Sequence, residues 1–199
     1  GPMLSGWFRG RTPVSVDFFV TVPRQFNLSL TTSGGDIRSE GIQGSVRGTT
    51  SGGDIVLGAV AGSVVAKTSG GDIRLQECTG STELTTSGGN IRAGRVDGRA
   101  SLFTSGGDIE ATLGSDAAQE AQLETSGGDV QLHVPAKRAF LLDARTSGGT
   151  VSATGLTLTI DDGAFGQSSL KGRVNGGTAL VKVRSSGGNI VIRTDGAAN

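Results

Sequence analysis

Apolar residues alternate with polar ones in short runs along most of the chain, and the runs recur. One set of positions reads Ile37/Ser39, Ile55/Leu57, Ile73/Leu75, Ile91/Ala93, Ile109/Ala111 and Val130/Leu132, with Arg38, Val56, Arg74, Arg92, Glu110 and Gln131 between the members of each pair. A second set aligns Val46, Val64, Thr82, Ala100, Ala121 and Leu142 with Gly48, Ala66, Leu84, Leu102, Leu123 and Ala144 two residues later. A period of two predicts strands with one face turned inward. Between the runs lies a further apolar column, Ile42, Val60, Cys78 and Val96, close to the glycines at Gly44, Gly62, Gly80 and Gly98.

The runs are punctuated by one phrase. TSGGDI at Thr32–Ile37 returns nearly unchanged, its serine falling at Ser33, Ser51, Ser69, Ser87 and Ser105, then at Ser126 and Ser147, and once more at Ser186. The first five are 18 residues apart and the next two steps are 21. Each unit reads as strand, glycine corner, strand, SGG corner, and cannot cover its own apolar face, so successive units are expected to stack in register. The fold class predicted is all-β, a single-domain parallel β-solenoid with coils of about 18–21 residues and strand caps at its ends, narrow triangular or flattened in section. Seven or eight coils about 4.8 Å apart make a rod on the order of 35–40 Å long.

The ends depart from the period. Gly1-Pro2-Met3 reads as a protease-cleavage scar ahead of a cloned start, so residues 1–13 are assigned to scar and lead-in and residues 14–199 to the solenoid. Val14, Val16, Phe18, Val20 and Val22 alternate and suggest an opening coil; Trp7 and Phe8 suit a cap on it or the stump of a membrane-proximal segment. Regular coils span about 28–151, and an irregular excursion or cap about 155–177. The run LVKVRSSGGNIVIR, at about 178–194, restores a final strand pair. Val22-Pro23 and Val134-Pro135 precede similar stretches and mark the same wider corner, where proline interrupts the ladder.

Two consecutive glycines permit positive φ and a tight reversal, and serine before them can bond the turn. The residue after them is Asp36, Asp54, Asp72, Asp108 or Asp129, but Asn90, Thr150 and Asn189 stand in the same place. Stacked carboxylates could form a cation-binding ladder. The phrase lacks the third glycine of the calcium-binding G-G-x-G-x-D repeat, and an uncharged asparagine serving in the middle favours backbone hydrogen bonding. Like charges about 4.8 Å apart repel by roughly 1 kcal/mol even in water, so the ladder needs hydration or compensation. The outward row Thr31, Thr49, Lys67, Thr85, Phe103, Glu124, Arg145 is too mixed for an ice-binding lattice.

Lysine and arginine balance aspartate and glutamate at 18 each, so no charge excess exists to hold nucleic acid by counterion release. No apolar run is long enough to cross a membrane. Acids outside the repeat sit where the period breaks: Asp116 and Glu120 in 115–120, and Asp161 and Asp162 in 161–177, with a third break at 135–140. The only histidine, His133, alternates outward, there is no tyrosine, and Cys78 falls in a core column. No catalytic, cofactor-binding or metal-binding residue is therefore assigned, and the protein is expected not to be an enzyme.

The opening VTVPRQFNLSLTTSGGDI, the unit Gly62–Ile73 and the ending VNGGTALVKVRSSGGNIVIR resemble a bacterial adhesin-type family of β-strand-repeat domains of unknown function. The resemblance implies a β-solenoid of the bacterial cell envelope, on its surface or periplasmic side, attached to the membrane only through a segment outside this sequence. Its partner would be a protein or glycan of the cell surface. Bactofilins are similar in architecture, which brings in end-to-end polymerisation through coil ends as an alternative. Arg9, Arg11, Pro13, Arg193 and Asp195 would guard those ends. A further alternative is a glycan-binding or glycan-processing β-helix using the 155–177 segment with Phe165.

Overall fold

The computed structural model describes residues 18–116, 118–160 and 165–195; Val14, Val16, Trp7, Phe8, Arg9, Arg11, Pro13, Asp161 and Asp162 fall outside them, and the described part of the expected opening run, residues 18–22, forms no strand and leaves Phe18 and Val20 exposed. Nineteen strands and no helix occur among the described residues. Six regular coils come first: β1 (Leu28–Thr31) with β2 (Ile37–Ser39), β3 (Val46–Thr49) with β4 (Ile55–Val60), and β5 (Val64–Lys67) with β6 (Ile73–Cys78), followed by β7 (Thr82–Thr85) with β8 (Ile91–Val96), β9 (Ala100–Thr104) with β10 (Ile109–Leu113), and β11 (Ala121–Thr125) with β12 (Val130–Pro135). Then come β13 (Phe140–Thr146) and β14 (Val151–Thr154), three strands β15 (Leu158–Thr159), β16 (Phe165–Gly166) and β17 (Ser169–Val174), and finally β18 (Leu180–Ser185) and β19 (Ile190–Asp195).

Odd and even strands of the regular coils segregate into two parallel sheets, as the two-run period requires, and the solenoid is flattened. Inward positions are closed to solvent: Ile55, Ile73, Ile91 and Ile109 from one sheet meet Leu84, Leu102 and Leu123 from the other. The Ile42, Val60, Cys78, Val96 column does not lie between the runs. Apart from the bridge residue Ile42, it belongs to the even strands, which bend at Gly58, Gln76 and Gly94 so that Leu75 and Cys78 both face the core. Cys78 is fully buried and donates its thiol to the Gly62 carbonyl at 3.1 Å.

The stacking order departs from the chain order. β18 lies between β11 and β13, parallel to both, and β19 lies between β12 and β14. The coil that comes last in sequence is thus seventh in space, and the coil 140–154 is eighth. The connector after Pro135 must climb two coil spacings, about 9.6 Å, where each earlier passage from one coil to the next climbs one. The expectation that units stack in sequence order fails here because the inward columns are interchangeable: Val181 and Val183 fit between Ala121/Leu123 and Leu142/Ala144 as well as any neighbour does.

Beyond the eighth coil the first sheet ends in a cap. β17 runs antiparallel on β13, with Leu170 and Val174 buried, and β15 and β16 pair with β17. Gln167 and Ser168 accept the Val151 and Thr146 amides. Arg193 and Asp195 therefore belong to an internal strand and guard no end.

One core position is mismatched. Thr82 is 2% exposed between Val64 and Ala100 and its hydroxyl has no hydrogen-bond partner. Thr82→Val is expected to stabilise the protein by about 1 kcal/mol, because the desolvated hydroxyl disappears and its volume is kept; a urea titration reads the shift.

Candidate functional site

The most regular cluster of polar groups is the SGG corner. Thr68 Oγ accepts from the Gly71 amide at 3.3 Å and donates to the Gly53 carbonyl of the preceding coil at 2.9 Å. Thr50, Thr86, Thr104 and Thr125 repeat this, and in the intercalated coil Ser185 takes the place. None of the SGG glycines has positive φ. The expected use of their conformational freedom is replaced by close approach: a Cβ on Gly71 would run into the Gly53 carbonyl.

The aspartates staple adjacent coils. Asp54 Oδ1 accepts the Asp72 amide at 2.8 Å, Asp72 accepts Asn90's, and Asn90 Oδ1 accepts Asp108's. The series continues from Asp108 to Asp129, to Asn189 and last to Thr150, following the spatial order of coils. A carbonyl oxygen suffices, so asparagine replaces aspartate; Thr150 stands in the last coil of its sheet, where no further amide waits. Compensation comes from Arg38 on Asp36 and from Arg74, which lies 2.7 Å from Asp72 and 3.5 Å from Asp54. Among the described residues no group of acids, histidines or cysteines has the geometry to hold a metal. Asp72→Asn is expected to change stability by less than about 0.5 kcal/mol, whereas Asp72→Ala orphans the Asn90 amide and costs about 1–2 kcal/mol. Thermal melts of the two in calcium-free buffer separate the cases.

The three breaks in the period converge. Arg138, 2% exposed, donates to the Gly114 carbonyl and, at 2.7 Å, to that of Gln119, joining 135–139 to 114–119. Asn175 donates to the Ala136 and Arg138 carbonyls at 3.0 Å, adding the end of the cap segment. Burial lowers the Arg138 pKa, opposed by Asp116 and Asp97. Asp116 turns back on its own loop, accepting from the Ala118 amide, and its pKa is lowered by that bond. Glu120 is exposed. What converges is a structural clamp. Arg138 and Asn175 carried no repeat signal, and the sequence hinted at them only by where the period fails.

Ion pairs hold the intercalated strand. Lys182 meets Glu124 at 2.6 Å and Arg184 meets Asp143 at 2.6 Å. Burial pushes the Glu124 and Asp143 carboxyls up, but the bonds from Lys182 and Gln122 to the first, and from Arg184 to the second, outweigh it, leaving both below their ordinary values. A carboxylate with a depressed folded-state pKa adds stability that is present above its unfolded pKa and lost as pH falls through the folded one. Melting temperature should therefore fall on acidification below about pH 4, and Lys182→Met/Arg184→Met should flatten that fall.

The outer face of the even sheet carries an open groove of about 450 Å³, floored at Gly58 and Gly94 and flanked by Arg74, Gln76, Arg92 and Glu110. Arg92 and Glu110 stand 3.5 Å apart across neighbouring strands. His133 is half-buried beside Thr112 and Arg193 on the same face. The described part of 155–177 covers the end of the first sheet and forms no wall of this groove.

A model of the family described as Toastrack DUF4097 matches residues 19–193. No curated protein and no solved structure matches the chain. The match covers every described strand but the final residues of the last, and with it the phrase, the corners and the cap. The chain belongs to the Toastrack DUF4097 family, a β-repeat fold of unknown function.

Proposed function

We propose that the protein is a non-enzymatic rod of the bacterial cell envelope, a scaffold or adhesion module that presents its flat outer faces to a surface protein or glycan. The observation that supports this reading is the fate of the repeated polar residues. The phrase that recurs along the chain spends its threonine hydroxyl and its aspartate oxygen on joining one coil to the next, so the motif builds stiffness and leaves the outer faces free to vary. On the even sheet a shallow trough runs past Gly58 and Gly94, bordered by the paired charges of Arg92 and Glu110. That shape suits an extended polar chain better than a compact small molecule, which is normally enclosed.

The test is direct binding of a panel of purified cell-wall glycans and of extended acidic and basic peptides, with Gln76→Trp filling the trough. Saturable binding to at least one class, weakened at least tenfold by Gln76→Trp while the melting temperature is kept, is the expected result. Turnover of any glycan, or binding indifferent to the tryptophan, overturns it.

A further inference from the structure

The seventh coil in space is tied to its own chain by a narrow link. Residues 175–179 carry the chain from the cap back into the gap between 121–135 and 140–154, with Asn175 at φ +50° and Gly176 at φ +73° in succession. A left-handed non-glycine residue stores strain, and a strained short hinge favours exchange of the element it carries. The coil it carries is all interface: Val181, Val183, Ile190 and Ile192 are fully buried. Its staples run to Asp129 and Thr150, and its ion pairs to Glu124 and Asp143, all on flanking coils. None of these contacts depends on which chain supplies the coil.

We propose that the slot between coils 121–135 and 140–154 is an exchange site for the 178–195 coil of a second copy, so that two chains close each other reciprocally. An open chain exposes an apolar slot and an apolar coil together, and a second open chain satisfies both with contacts already present in the closed monomer. The slot keeps its shape when the coil leaves, because Arg138 ties the two-coil connector to Gly114 and Gln119, neither of which belongs to the exchanged segment. The side-chain latch on the hinge is Asn175, through Ala136 and Arg138. The inference stands apart from the envelope role, since it concerns how the rod is closed and not what it binds.

The test uses two copies of the 199-residue chain with different tag mass in a Cys78→Ala background, one with Gln131→Cys and the other with Val191→Cys, positions paired on the outer face of β12 and β19. They are mixed at high concentration in mild urea, returned to buffer and treated with a short bis-maleimide. The expected product carries one chain of each mass. Its yield rises with protein concentration, and several-fold more when Asn175→Ala releases the latch, while either chain alone gives no covalent dimer. A double-cysteine chain that cross-links within itself serves as the geometric control. If that control reacts and the mixture gives no heterodimer at any concentration, with or without Asn175→Ala, the exchange site does not exist.

Discussion

Ile73→Asp is expected to abolish cooperative folding. Ile73 is fully buried, with Ile55 below and Ile91 above it in register. A carboxylate there finds no partner, and a buried unpaired charge costs on the order of 5 kcal/mol or more, as much as the whole stability of many domains. Because each coil leans on its neighbours, the loss spreads along the stack. Ile37→Asp, in the first described coil and stacked in register only on Ile55, should fray that coil and leave the rest melting as a unit. Circular dichroism melts and limited proteolysis distinguish the two, and an Ile73→Asp protein melting within a few degrees of the parent would mean that the column is not dry.

Gly71→Ala is expected to be nearly as damaging although it adds one methyl group. The second glycine of each corner packs its α-carbon against the peptide of the coil before, and a Cβ on Gly71 has the Gly53 carbonyl in its place. Backbone must shift, and the shift breaks the staple from Asp54 to Asp72 beside it. A loss on the order of 3 kcal/mol follows, at the upper end of overpacking effects. Two neighbours test the cause. At Gly70 a Cβ would sit 3.5 Å from the Gly52 carbonyl, and at Gly35, in the first coil, 3.4 Å from the Thr32 hydroxyl. Both alanine variants should melt close to the parent, since the stiffer unfolded chain offsets a mild contact. Equal losses at Gly70 and Gly71 would point to conformational freedom instead of close approach.

The same position shows what a sequence can and cannot announce. That a glycine is needed in each corner is legible from its recurrence. Positive φ, which two adjacent glycines suggest locally, is not the reason, because inter-coil distance is a property of the stack and not of the local turn. Asn90 worked in the other direction. An amide among carboxylates points to hydrogen bonding from the sequence alone, and the geometry from Asp72 through Asn90 to Asp108 is of that kind.

The sequence by itself determined the strands of the regular coils, their inward columns and the hydrogen-bonding chemistry of the aspartate staple, because each follows from alternation and spacing within about 20 residues; the flattening into two sheets and the strands of the cap did not follow from it. The tertiary structure decided the order of the coils. Every coil offers the same inward column and the same staple, so the contact energies barely distinguish one neighbour from another. Connector geometry breaks the tie: the corner at 135–139 climbs two spacings, the cap turns the chain back, and β18 and β19 close the gap. The clamp of Arg138 and Asn175, and the pairs of Lys182 and Arg184 with Glu124 and Asp143, exist only in that order, which is why no reading along the chain could assemble them.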